Sequence, residues 1–187
     1  AGSISLYAHY LDDGKIVEFV DMPFQIVKVA DIVNGQFVNV GDFKDFKNIS
    51  TNMNASQMKE MSYALQAYMK GKNISFTDEK NTNKNGIVQF FDLDLGLYLV
   101  SQKERDDIKY YSEPFLISIP MIEDSNEIFN VYSKPKFIEK DENEIPTSPT
   151  IPDSSVETGD NTNVILWIVL LLVSGLALLS VTRKQRK

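Results

Sequence analysis

The chain has 187 residues, no cysteine and a formal net charge of -7, so it has room for one domain of ordinary size with appended segments. Residues 159–187 hold four of the 19 Lys and Arg and one of the 26 Asp and Glu, which leaves about -10 on residues 1–158. The acidic balance argues against nucleic-acid binding, and the lack of cysteine excludes disulfides and thiolate metal sites. No apolar run follows Ala1, so a secreted form is expected to have lost its signal peptide already.

The N-terminal part predicts β-strands. Residues 3–10, "SISLYAHY", show imperfect alternation, and Gly14 in "LDDGK" indicates a turn. The stretch "PFQIVKVADI" is apolar on both faces, which predicts a strand at the centre of its sheet. Asn34-Gly35 predicts a hairpin, with "QFVNV" as the returning strand.

Residues 54–70 predict the one soluble helix. Five apolar or aromatic side chains recur at helical spacing, namely Met58, Met61, Leu65, Tyr68 and Met69. Asn54 can act as N-cap with Gln57 in the capping-box position, and Gly71 offers a C-terminal stop. The apolar stripe fits either a partner groove or a helix laid across the domain core, and we favour the core.

The following residues predict more short strands. Residues 73–85 are polar and indicate a loop, and Asn85-Gly86 indicates a second turn. Two apolar segments flank Gly96, of which "LYLV" predicts a buried strand, and "SEPFLISIPM" and "NEIFNVYSKPKF" predict two more. Many short strands with turn signals and one helical excursion predict a mainly β protein, a β-sandwich.

The composition changes towards the C-terminus, and we predict a folded domain over residues 1–138. Residues 139–160 are rich in Pro, Ser, Thr and acids and predict an extended linker. Residues 161–187 contain 18 uncharged residues, 164–181, near the lower limit for a membrane-spanning helix. The basic tail that follows places residues 1–160 outside the cell by the positive-inside rule.

No set of residues predicts catalysis. His9 is the only histidine, and without a partner histidine or cysteine we interpret it as structural. Asp92 and Asp94 have neither metal-loop nor glycosidase spacing, so a turn role is the default. We therefore expect no enzyme activity, no metal and no cofactor.

The C-terminus resembles the cell-wall sorting signal of Gram-positive surface proteins, in which a pentapeptide ending in Thr-Gly precedes an apolar span and a basic tail. Here the pentapeptide is Ser155-Val156-Glu157-Thr158-Gly159. It lacks the usual Leu and Pro and is more similar to a clostridial variant with Thr-Gly-Asp before a Trp-containing span. Asp160 and Trp167 match that variant.

Residues 3–137 resemble the small pilin domains of sortase-assembled pili, which are immunoglobulin-like sandwiches of the Cna B type. The most specific stretch is "NGIVQFFDLDLGLYLV", and "VYSKPKF" is similar to the pilin motif, which normally ends in Pro-Lys. The resemblance implies a Cna B-type sandwich with one inserted helix. It also places Lys136, after Pro135, at the pilin lysine position, with Lys134 as a lesser candidate.

The resemblance implies that the protein is the substrate of a separate enzyme. A sortase would attack the Thr158 carbonyl with a cysteine thiolate, release Gly159 onward, and pass the acyl group to an amine. That amine would belong to cell-wall peptidoglycan or to another pilin, and Lys136 could accept a second subunit. Residues 164–181 would hold the precursor in the plasma membrane only until transfer.

These features favour a cell-surface structural protein, a minor or basal pilin attached to the cell wall. Two alternatives remain open at this point. One is a stand-alone wall-anchored adhesin that does not use Lys136. The other is a membrane-retained single-pass receptor in which Thr158-Gly159 has no role.

Many domains of this family carry an internal isopeptide bond between a Lys and an Asn or Asp, formed beside a buried Glu. In this sequence His9 lies about where the lysine would be, and Gln102 stands at the glutamate position. We therefore expect no such bond. Lys28 is the only lysine in the early apolar strands, and we expect its amine at the sheet edge.

Overall fold

Residues 1–140, which the computed structural model describes, form short strands around one α-helix. In chain order the strands β1 to β14 are Gly2–Tyr7, His9–Asp12, Lys15–Glu18, Pro23–Val33, Gln36–Asn39, Asp78–Asn81, Ile87–Leu93, Gly96–Gln102, Tyr110–Ser112, Phe115–Ile119, Met121–Glu123, Asn126–Ile128, Asn130–Ser133 and Phe137–Glu139. The helix α1 spans Ala55–Lys72, and a 3-10 turn spans Gly41–Phe43. The sorting pentapeptide, the apolar span and the linker beyond residue 140 lie outside the described residues.

Two sheets build the sandwich. The first has the order β13-β1-β7, with β1 parallel to β13 and antiparallel to β7. The second has the order β10-β8-β4-β5, and β6 also pairs with β4. The central position predicted for "PFQIVKVADI" is confirmed, because β4 pairs with β8 along one edge and with β6 and β5 along the other.

One core lies between the two sheets, because alternate side chains of each sheet point towards the other. Each fully buried large apolar side chain contributes about 1.5–3 kcal/mol. This core consists of Ile4, Leu6, Ala8, Met22, Phe24, Ile26, Val88, Phe90, Tyr98, Val100, Ile117, Ile119 and Val131.

A second core lies between α1 and the opposite face of the second sheet. It consists of Val27, Val29, Ala30, Phe43, Ile49, Met61, Leu65, Met69, Leu97, Leu99 and Leu116. Met58 and Tyr68 pack against it while partly buried. The interpretation of the helix as a core element is confirmed, since the apolar stripe is used against the sheet.

The start of the helix is confirmed and its predicted end is wrong. Asn54 accepts a hydrogen bond from the Gln57 amide, and the Gln57 side chain accepts one from the Asn54 amide, which completes the capping box. Gly71 lies inside α1. The helix ends at Lys72, and its C-cap Asn73 has a left-handed backbone (φ 55°), which asparagine tolerates.

Two strand predictions also need correction. Residues 78–81, predicted as loop, form β6, because the backbone pairs with β4 although the side chains are polar and mostly exposed. The strand predicted over residues 3–10 is divided at Ala8. Its amide donates to the carbonyl of Gly86 and its carbonyl accepts from the Phe19 amide, so it leaves the ladder of β1.

Candidate functional site

Lys136, the predicted acceptor, lies where the chain passes from one sheet region to another. Upstream, β13 pairs with β1, and downstream, β14 pairs with β9. Its neighbour Pro135 is buried, and the Phe137 ring packs 4.6 Å from the ring of Phe19. The exposed Lys136 side chain therefore projects from a backbone that is held on both sides.

Lys136 lines a groove of about 330 Å³. One wall is the first turns of α1, including Met58 and Lys59; the others are residues 112–116 and 133–136. Lys134 lines the same groove, so the structure brings the two predicted lysines together. Both lysines are exposed to solvent.

Polar contacts fix the helix wall of this groove. The Ser62 hydroxyl, which is buried, bonds the carbonyl of Pro114 at 2.8 Å. One turn further on, the Gln66 amide donates to the Ser101 hydroxyl at 2.6 Å. These bonds hold the middle of α1 against β8 and the residues that precede β10, and so fix the helix turns next to the groove.

Glu113 is the acid of the groove and is bound by two groups of α1. Its Oε1 lies 2.7 Å from the Lys59 amine and accepts a hydrogen bond of 2.9 Å from the Tyr63 hydroxyl. Burial, the largest single influence, raises the pKa of Glu113, but the bonds from Lys59 and Tyr63 and the lysine charge outweigh it and lower the pKa overall. Glu113 is therefore ionised at neutral pH. Burial and the bond to Glu113 in turn raise the pKa of Tyr63.

The three lysines of the groove differ in their partners. Lys59 pairs with Glu113, and the Lys134 amine lies 6.0 Å from the centre of the Tyr132 ring. Within residues 1–140 the Lys136 amine has no ion pair, hydrogen bond or ring contact. Sequence reasoning missed Lys59 and Glu113, because neither stands in a motif and their meeting depends on how α1 packs.

The two residues expected at isopeptide positions have other partners. The His9 ring stacks on Tyr7 with centroids 4.3 Å apart, which agrees with a structural role. The Gln102 side chain bonds to the backbone of β9, where it donates to the carbonyl of Tyr110 and accepts from the Ser112 amide. That no isopeptide bond forms stays a prediction.

The remaining charged positions singled out in the sequence have structural contacts. The Lys28 amine lies 2.6 Å from Asp31 and its stem crosses Gly96. Asp92 has a left-handed backbone (φ 56°) near the irregular register of β1 and β7, and the carbonyl of Asp94 accepts from the Tyr98 hydroxyl at 2.8 Å. Residues 1–140 contain no group of three or more His, Asp or Glu that could hold a metal ion. No helix in this part of the chain is both long and apolar enough to cross a membrane.

A comparison with models of known protein families identifies the family of this chain. The model for the Gram-positive pilin subunit D1, N-terminal domain, matches residues 9–135, which is most of the described chain. The chain therefore belongs to the Gram-positive pilin D1 family. Its fold is that of a pilus structural subunit, a class of protein at the bacterial surface.

Solved pilins are among the structures similar to this chain. The full-length major pilin SpaD of Corynebacterium diphtheriae is 30% identical, with 74% of this chain and 30% of that chain covered and a TM-score of 0.46. The SpaE basal pilin of Lactobacillus rhamnosus GG is 12% identical, with coverages of 74% and 49% and a TM-score of 0.47. GBS52, the minor pilin of Streptococcus agalactiae, is 12% identical, with coverages of 78% and 48% and a TM-score of 0.40.

The chain thus spans about three tenths of the length of the first of these pilins. A comparison with curated proteins gave no match.

Proposed function

We propose that the protein is a minor or basal pilin, joined to its neighbours and to the cell wall by a sortase, with Lys136 as the acceptor for another pilin subunit. The observation that carries the proposal is the setting of Lys136 in a member of the pilin D1 family, one residue beyond the matched range 9–135. Its amine is exposed, has no partner within residues 1–140, and projects from a stretch fixed by Pro135 and Phe137.

The donor side rests on the sequence Ser155-Val156-Glu157-Thr158-Gly159. The sortase thiolate forms a thioester with the Thr158 carbonyl while the amide bond to Gly159 breaks, and the peptide that begins at Gly159 leaves as an amine that takes its proton from an acid group of the sortase. An acceptor amine then attacks the thioester, an amide forms, the thiolate is released, and the surplus proton goes to a base. The acceptor is peptidoglycan for wall attachment or a pilin lysine for subunit joining.

The basal or minor role rests on the order of segments. One D1 domain is followed directly by the Pro-rich stretch 139–160 and then by the apolar span 164–181. This order keeps the domain close to the wall, with the precursor held in the membrane and its N-terminal part outside. A subunit near the wall needs one joint to peptidoglycan and one joint to the next pilin.

The test is mass spectrometry of peptides released by digestion of purified cell wall. We expect a peptide ending at Thr158 joined to wall peptide, and a branched peptide at Lys136. The branch should be lost in the Lys136→Arg variant and kept in Lys134→Arg, which changes the neighbouring lysine of the groove.

The two alternatives give different peptides. A stand-alone adhesin would show the wall junction and no branch at Lys136. A membrane-retained receptor would be recovered intact to Lys187 from the membrane fraction. Either result would refute the proposal.

A further inference from the structure

Three lysines line one groove, and under the proposed function only one of them is the joint to the next subunit. Lys59, Lys134 and Lys136 all border the groove of about 330 Å³ beside α1. An acylating enzyme that presents its thioester there meets all three. The structure must therefore contain something that makes one amine a better nucleophile than the others.

Burial does not protect Lys59, because 54% of its side chain is exposed. What distinguishes it is its partner, since its amine lies 2.7 Å from Oε1 of Glu113. An amine attacks through its lone pair, so the ammonium must first leave the carboxylate and lose a proton. Glu113 is held in place by the second bond from the Tyr63 hydroxyl, 2.9 Å long.

The other two amines are engaged more weakly or not at all. Lys134 lies 6.0 Å from the centre of the Tyr132 ring, at the outer limit of a cation–π contact. Lys136 has no such partner within residues 1–140. The strength with which a partner holds each amine therefore decreases from Lys59 to Lys134 to Lys136.

We infer that Glu113 is a specificity-determining residue, which holds the Lys59 amine in an ion pair and so leaves Lys136 as the acceptor of the groove. The inference rests on the proposed function and deepens it. In the reaction it governs, the Lys136 nitrogen forms an amide with the incoming acyl group while the carbon–sulfur bond of the thioester breaks. The ammonium gives one proton to a base before the attack, and as the thiolate leaves, the second proton released from the nitrogen also passes to a base.

The first experiment measures nucleophilicity without a sortase. The full chain is treated with limiting acetyl N-hydroxysuccinimide ester, and peptide mass spectrometry gives the acetylated fraction of each lysine. We expect Lys136 to react faster than Lys59 in the wild type. The Glu113→Gln variant should raise acetylation of Lys59 roughly two- to five-fold, the effect of losing an exposed ion pair, and leave Lys136 unchanged.

A matched control is available in the same molecule. Lys103 lies 2.9 Å from both carboxylate oxygens of Glu79, and 51% of its side chain is exposed. The Glu79→Gln variant should raise acetylation of Lys103 and leave Lys59 unchanged. In the wild type, about 1 M salt should raise the acetylation of Lys59 relative to that of Lys136, because salt screens ion pairs. This measurement stands even if Glu113→Gln does not fold.

The inference is overturned if Lys59 is acetylated as fast as Lys136 in the wild type. It is also overturned if neither Glu113→Gln nor salt raises the acetylation of Lys59. A second arm adds a pilin-joining sortase and a synthetic peptide containing "SVETGD". The wild type should give a branch at Lys136 alone, and Glu113→Gln should add a branch at Lys59. Branching only at Lys136 in the variant overturns the role of Glu113, whereas no branch at any lysine of the wild type refutes the proposed function instead.

Discussion

Gly96→Ala is expected to be among the most damaging single changes in the domain. Gly96 opens β8 with φ 153°, and an added Cβ would lie 2.4 Å from the carbonyl oxygen of Ala30 and 2.5 Å from Cε of Lys28. The lysine stem can move, but the carbonyl belongs to the backbone of β4. An unfavourable backbone conformation costs about 1–3 kcal/mol, and overpacking costs a similar amount. We expect a loss of about 3 kcal/mol or more in the free energy of unfolding.

The matched control is Gly71→Ala. Gly71 lies inside α1, and an added Cβ there meets nothing within 4 Å. Because glycine disfavours a helix interior, this change should raise the free energy of unfolding by about 0.5–1 kcal/mol. Urea unfolding of residues 1–140, followed by circular dichroism, gives both values. The reasoning is refuted if Gly96→Ala lies within about 0.5 kcal/mol of the wild type, or if the two changes have the same sign.

Further predictions concern the helix, the ionisable core and the covalent state. Asn54→Ala removes the cap and should cost about 1 kcal/mol, and Leu65→Ala empties a fully buried position and should cost about 2–5 kcal/mol; urea midpoints equal to wild type would contradict both. Burial, with the nearby Asp94 and Asp31 charges, raises the pKa of Tyr98 to about 12. The hydroxyl ionises more readily in the unfolded chain, so its contribution to stability is present below pH 10 and is lost between about pH 10 and 12. In the Tyr98→Phe variant, the urea midpoint should fall less steeply with pH over this range than in the wild type. An unchanged slope would show that Tyr98 is not the group responsible. The intact mass of the protein should equal the sum of its residue masses plus one water for the termini, and a further deficit of one ammonia or one water would show an isopeptide bond.

Elements set by local chemistry could be predicted from the sequence. The helix follows from apolar spacing and from the reciprocal bonds of Asn54 and Gln57. The hairpin of β4 and β5 follows from Asn34-Gly35, since both residues have positive φ, 50° and 74°. In each case the residues that carry the signal also make the contacts that form the element.

Elements set by distant partners could not be predicted. Most side chains of strand β6 are polar and face solvent, so its sequence has no apolar pattern. The strand forms because its backbone pairs with β4, more than 50 residues away in the chain. The same holds for Glu113, which meets Lys59 and Tyr63 only once α1 has packed on the second sheet. Local sequence patterns predict which residues are buried, but they do not predict which exposed charged residues form contacts.

The interpretation of Lys136 depends both on its local sequence and on contacts between distant parts of the chain. The Pro-Lys sequence indicated the position, but such a dipeptide is equally at home in a solvated loop. What would suit the position to the proposed joint is that β13 pairs with β1 of the first sheet while β14 pairs with β9. Both pairings join residues about 25 or more apart along the chain, so they exist only after the sandwich has formed. The setting of the proposed acceptor is therefore a property of the folded domain, and we expect an unfolded chain to present its 16 lysines without preference for Lys136.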